Sequence, residues 1–160
     1  MRLAETYGSA TLEDIEAALD GGKLVLYSTG RPPSADHAIT RSEALATFAF
    51  ASPAFGPDPE GGEGFVTPLF VESSVTATAI GTPGWARAYK ADGSVVVDFS
   101  VGPGVTEIKL ASVSATTGFP VTITSFKFLP AETIEWAKTE YGHVYVTNLQ
   151  DAHRKMSMRG

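Results

Sequence analysis

Apolar and polar side chains alternate with period two through much of the middle of this 160-residue chain, and Gly, Pro and Asp-Gly interrupt the alternation at short intervals. The strongest run extends from Gly84 to Val101. Two alternating halves flank Asp92-Gly93, a dipeptide suited to the positive φ at both central positions of a type I′ hairpin turn. Folding about that turn sets Tyr89 opposite Val96, Arg87 opposite Asp98 and Trp85 opposite Ser100. Ala86, Ala88, Val95, Val97 and Phe99 then share the other, apolar face. Arg87 and Asp98 become a cross-strand ion pair, worth about 0.2–1 kcal/mol on a sheet face.

Upstream, Thr11–Leu19 reads as a short helix. Thr11 is the N-cap, acids occupy the first turn, Leu12, Ile15 and Leu19 share one face, and Gly21-Gly22 stops it. Lys23–Ser28 is a strand, and Gly30–Asp36 with its paired prolines is an irregular connection. Ala44–Phe50 alternates as a strand. Ser52–Gly64, rich in Pro and Gly among acids, reads as a surface loop. Further strands are expected at Phe65–Phe70, Ser74–Ile80, Trp85–Lys90, Ser94–Val101, Thr106–Ala111 and Val121–Phe128.

Turn signals about every ten residues predict an all-β fold, a β-sandwich or jelly-roll-like body. The body is expected over 23–130, with an N-terminal arm and the short helix over 1–22 and a C-terminal extension over 131–160. In that extension the alternation is lost except at His143–Thr147.

Composition narrows the function. The charged fraction, 19%, is below the usual ~25%, and Ala, Ser, Thr, Val and Gly fill the gap. A net charge of −6, with basic residues gathered only at His153-Arg154-Lys155 and Arg159, argues against a nucleic-acid partner. No run of ~18 apolar residues is present, so no membrane partner is expected, and synthesis in the cytoplasm follows from the lack of a signal-peptide segment. Without cysteine there is neither a disulfide nor a thiolate metal site.

The residues that carry chemistry are scattered. His37, His143 and His153 have no ligand spacing between them, although a zinc site built from all three is conceivable. Ser34, Asp36 and His37 match a hydrolase set in composition only, with no Gly-x-Ser-x-Gly elbow. Asp58, Glu60 and Glu63 lack the spacing of a calcium loop and read as a solvated acidic loop. Gly21-Gly22-Lys23 and Gly102-Pro103-Gly104 are turns, not phosphate cradles. Tyr27, Trp85 and Tyr89 are either a sugar-stacking face or core and interface residues. The expectation is a protein that is not an enzyme and carries no cofactor and no metal.

The order of the pieces adds a resemblance. Leu26-Tyr27-Ser28-Thr29-Gly30-Arg31-Pro32-Pro33 precedes Leu45-Ala46-Thr47-Phe48-Ala49-Phe50 and Ser52-Pro53-Ala54-Phe55-Gly56. Gly81-Thr82-Pro83-Gly84-Trp85, Val97-Asp98-Phe99-Ser100-Val101-Gly102 and Val121-Thr122-Ile123-Thr124-Ser125-Phe126 follow. Over Leu24–Pro130 this resembles a family of small β-rich proteins from the structural modules of tailed bacteriophages and prophages. The resemblance implies a virion component, foremost a capsid decoration (cement) protein on the capsid surface. Its partners would be the major capsid protein and copies of itself, as a dimer or trimer. A neck or tail component is the nearest alternative, followed by a carbohydrate- or receptor-binding module on a fibre.

No catalytic residue comes with the resemblance, so function is expected in attachment. Met1–Gly8 and Ala131–Gly160 are the candidate arms, with Ile134, Trp136, Tyr141, Tyr145 and Arg154 as candidate interface residues. Burying each large apolar side chain of that tail is worth about 1.5–3 kcal/mol, so the tail must pack on this body, a sister copy or a shell protein. Completing the sheet of its own domain is the plainer option.

Overall fold

Four consecutive apolar residues, Leu24 to Tyr27, demand a strand covered on both faces. The fold supplies one. The structure is a computed structural model that describes residues 1–57 and 66–127. Among these residues the elements are β1 (Arg2–Leu3), a 3-10 turn (Glu5–Tyr7), α1 (Leu12–Ala18), β2 (Lys23–Ser28), β3 (Ala44–Pro57) and β4 (Val66–Phe70). They continue with β5 (Ser74–Thr76), β6 (Pro83–Tyr89), β7 (Val95–Ser100), β8 (Ile108–Leu110) and β9 (Pro120–Phe126). One antiparallel sheet has the order β1-β7-β6-β2-β3-β4, and a smaller one has the order β5-β9-β8.

The main core lies between the two sheets and under α1. Leu24, Leu26, Phe48, Ala86, Ala88, Val97 and Phe99 of the large sheet meet Ile108, Val121 and Phe126 of the small one, with Ile15 and Leu19 from the helix. Val25 and Tyr27 point the other way, into a second cluster with Trp85. The all-β expectation holds. Six strands plus three do not by themselves establish a jelly roll, which pairs two Greek keys.

The helix forms as its cap predicts. Thr11 Oγ1 accepts from Asp14 N–H while the Asp14 carboxylate accepts from Thr11 N–H, a reciprocal capping box. Ile15 and Leu19 are buried as expected, but Leu12 stays 48% exposed, outside the face the core covers. The helix ends at Ala18 with Leu19 as its cap, and the left-handed Gly21 (φ 68°) turns the chain toward β2, where Gly22 has a packing role of its own. A Cβ there would lie 2.0 Å from the Tyr89 carbonyl oxygen, so only glycine admits that approach.

Four expectations need correction. The segment read as a loop from Ser52 is strand as far as Pro57, because the second half of β3 leaves β2 and pairs with β4, the last strand of the sheet among the described residues. Prolines are tolerated at such an edge. Asp20 Oδ1 also accepts from Ala54 N–H at 2.7 Å and fixes the departure.

The hairpin turn is not type I′. Gly93 has φ 91° but Asp92 does not have positive φ, and Gly93 N–H donates to Lys90 O at 2.9 Å. This is a longer loop closed by a left-handed glycine, the arrangement that carries a bulge. Its extra residue slips the register beyond Ala88, so Tyr89 faces Val95, not Val96. Val96 is buried in the main core while Val95 is only half-buried.

Third, Met1–Gly8 is no arm. Met1 is buried in the core, Arg2 and Leu3 pair with Asp98 and Val97, and the Met1 ammonium lies 3.0 Å from Glu107 Oε1. Finally, β5 and β8 are shorter than expected: beyond Thr76 and Leu110 the chain keeps single backbone bonds and an isolated Gly81–Ala115 bridge in place of a continuous ladder.

Candidate functional site

Two surfaces compete for function, and the first is the outer face of β2, β6 and β7. The hairpin sets Arg87 directly opposite Asp98. Arg87 Nε donates to Asp98 Oδ1 at 2.7 Å and Nη2 to Oδ2 at 3.0 Å, a bidentate pair. Two of the three remaining guanidinium hydrogens reach over the sheet to the Pro-rich connection, from Nη1 to His37 O at 2.9 Å and from Nη2 to Ser34 O at 3.3 Å. Trp85 Nε1 donates to Ser42 Oγ at 2.9 Å, and Arg2 Nη1 to Pro32 O at 2.9 Å. These bonds pull the segment between β2 and β3 down as a roof.

Under that roof the pair is buried, with Arg87 4% and Asp98 0% exposed. Burial opposes the charged form of Arg87, yet the hydrogen bonds and charge of Asp98 outweigh it and the pKa is raised. Tyr27 stacks on Trp85 at 4.6 Å, and its hydroxyl lies 2.9 Å from that of Tyr89. Burial, then the bond to Tyr89, push the Tyr27 phenol well above its ordinary value. This pair is therefore not the weak surface contact expected from sequence. Removing one partner of a buried pair costs about 3–5 kcal/mol.

The roof also decides the aromatic question. Trp85 is fully buried and only Tyr89 of the three rings is half open, so they form no platform for a sugar. Ser34 Oγ does meet His37 Nδ1 at 2.7 Å, within one exposed turn. Asp36 Oδ2 accepts instead from Glu5 N–H at 2.8 Å, so the three do not form a relay. Asp92 works locally as well. Its carboxylate accepts from the Ser94 hydroxyl and backbone N–H, which hold it below its ordinary pKa and tie the turn.

The second surface lies at the loop end of the small sheet, and sequence reading missed it. Ser73–Ala86, Phe99–Thr106 and Leu110–Phe126 contain no Asp, Glu, Lys or Arg. The fold lays parts of these segments side by side. Gly81 and Ala115 exchange backbone bonds of 3.1 and 2.8 Å, Ala77 N–H donates to Phe119 O at 2.9 Å, and Gly102 N–H to Ile108 O at 3.1 Å. Four large apolar side chains stay in water on these loops: Ile80 (72% exposed), Val105 (79%), Val113 (65%) and Phe119 (64%). Between the loops a groove of about 290 Å³ is lined by Pro83, Val101, Gly102, Gly104, Leu110 and Val113. Lys109 at its wall is tied to the Gly104 carbonyl. The signal available in sequence was the combination of turn chemistry with large apolar residues and no charge.

Apart from Lys109 and the hydroxyls of Ser112 and Thr124, the groove is lined by apolar side chains and glycines; what it chiefly offers is area. Interface cores are depleted of charge in the same way, and large apolar side chains left in water are where another molecule gains most by sitting. Among the described residues no group of three or more His, Asp or Glu gathers as a metal site would require. Several candidates lie outside the described residues: His143, His153, Asp58, Glu60 and Glu63, and the interface set Ile134, Trp136, Tyr141, Tyr145 and Arg154. Comparison with family models, curated proteins and solved structures finds no match to this chain.

Proposed function

We propose that this protein is a structural component of a tailed-phage particle, a decoration protein that attaches to the outer capsid shell and stabilises contacts between capsomers. The observation that carries the attachment reading is the charge-poor loop end with Ile80, Val105, Val113 and Phe119 in water. A chain that buries Arg87 and Asp98 in a clamp, yet leaves four large apolar side chains exposed on its loops, is built to lose that exposure against a partner. The phage setting rests on the order of sequence motifs between Leu24 and Pro130. The partners on this reading are the major capsid protein and further copies of this chain.

Quantitative mass spectrometry of purified particles from the encoding phage or lysogen tests it. Decoration requires copies in proportion to the capsid lattice, on the order of hundreds per particle, whereas a neck or tail ring holds about a dozen or fewer. Absence of the chain from particles would overturn the virion assignment. Val113→Glu combined with Phe119→Glu should abolish incorporation while leaving the isolated protein folded.

A further inference from the structure

We propose that Asp92 is a site of spontaneous isomerisation to isoaspartate, a modification held back by the bonds that close the turn between β6 and β7. It is independent of the attachment reading. The chain contains Asp-Gly twice, at Asp20-Gly21 and Asp92-Gly93. In such a pair the glycine, with no Cβ to shield its nitrogen, can attack the neighbouring carboxyl. The Gly93 nitrogen forms a bond to Asp92 Cγ while the amide proton and the carboxyl hydroxyl leave as water, giving a cyclic imide. Water then opens the imide. Attack at Cγ returns aspartate. Attack at the main-chain carbonyl carbon breaks its bond to the Gly93 nitrogen and leaves the chain running through Cβ and Cγ, as isoaspartate.

Both pairs carry the same kind of lock. The Asp20 carboxylate accepts from Ala54 N–H at 2.7 Å, and Gly21 N–H donates to Ala51 O at 3.1 Å. The Asp92 carboxylate accepts from Ser94 N–H at 2.9 Å and from the Ser94 hydroxyl, and Gly93 N–H donates to Lys90 O at 2.9 Å. Imide closure requires the carboxyl and the glycine peptide plane to rotate toward each other, so these bonds must open first. Closure also runs through the protonated acid, and the Ser94 bonds hold the Asp92 carboxyl below its ordinary pKa.

The locks differ in what anchors them. Ala51 and Ala54 belong to β3, so freeing Asp20 means detaching the helix end from a strand of the large sheet. At Asp92 every partner comes from the turn itself, between Lys90 and Ser94, and Ala91 through Ser94 are exposed. Such a turn opens locally without disturbing the core. Asp92 is therefore the pair that reacts in the folded protein. The product adds a methylene to the main chain between Arg87 and Asp98, the two residues whose register makes the buried clamp.

Peptide mapping of protein aged near neutral pH, with isoaspartate scored by enzymatic methylation, tests this. In guanidinium chloride, where neither lock exists, both pairs should isomerise readily. In the folded chain Asp92 should react at least ~10-fold more slowly, because only the locally open turn reacts, and Asp20 more slowly still. Ser94→Ala should speed Asp92 by about 2–10-fold, the worth of one hydrogen bond, and leave Asp20 unchanged. Ser94→Thr should restore the parent rate. Equal rates at Asp92 in folded and unfolded chains would overturn the proposal, as would no isoaspartate at Asp92 in either. So would Asp20 outpacing Asp92 in the folded chain. A Ser94→Ala variant in which Asp92 is no faster, or in which both pairs accelerate together, would overturn it as well.

Discussion

The outer face of β6 and β7 and the loop end of the small sheet invert the usual rule in opposite ways. The first buries an arginine and an aspartate; the second leaves isoleucine, valines and phenylalanine in water. The first inversion is compensated inside the molecule, because the Arg87 guanidinium has a bidentate carboxylate and two roof carbonyls. The second shows no compensation among the described residues. Buried charge that is fully hydrogen-bonded is architecture, and it closes the fold over itself. Apolar surface left open on adjoining loops is the half of a contact whose other half lies elsewhere.

The largest test of this contrast is Asp98→Ala. It leaves Arg87 buried without its counter-charge and should cost about 3–5 kcal/mol in urea denaturation. A loss under about 1 kcal/mol would mean that the pair behaves as a solvated surface pair and that the roof is not closed. Gly93→Val comes next. The side chain would meet nothing within 4 Å, so the cost is the left-handed backbone alone, about 1–2 kcal/mol. Gly93→Asn should recover most of it, and equal melting of all three proteins would remove the turn from the account of the clamp's register.

A smaller effect concerns Tyr27. Its folded pKa is raised above the ordinary 10.0, so the folded state holds the proton more tightly than the unfolded chain does. The associated stability is complete below pH ~10 and declines as pH rises further, once the unfolded phenol ionises. Tyr27→Phe should flatten that decline, read as denaturation midpoints on either side of pH ~10. Smallest of all should be Ile80→Ser and Phe119→Ser. On the exposed end each should change stability by no more than about 0.5 kcal/mol, while particle incorporation falls. If either destabilises the isolated protein as much as Gly93→Val, the loop end is core and not contact surface.

Much of the first region was legible in the sequence. Alternation and the Asp-Gly punctuation placed the hairpin and set Arg87 opposite Asp98, because cross-strand pairing follows from counting back from a turn. The count failed only near the turn itself, where a left-handed Gly93 without a left-handed Asp92 inserted a bulge. The roof was not legible. Gly30–Asp36 announces only that helix and ladder are broken there, and nothing local says that its carbonyls will point at a guanidinium. The strand from Ser52 to Pro57 was misread for a related reason: proline and glycine argue for a loop unless an edge position makes them harmless, and edges are a property of the sheet. At the loop end the missing charge was visible from the start, but it acquires meaning only when three separate segments are laid together.

The chain by itself determined the capped helix after Thr11, the apolar strand Lys23–Ser28, the hairpin with its ion pair and the all-β class. Each follows from side-chain period, capping or turn chemistry acting over a few residues. Tertiary structure alone decided that Met1 is core, that Trp85 faces no solvent and that Arg87 bonds to His37 across a separation of 50 residues. Exposure depends on which distant segment covers a face, and no local period encodes that choice. The same ion pair is worth little in water and several kcal/mol under a roof, and only the fold says which of the two it is.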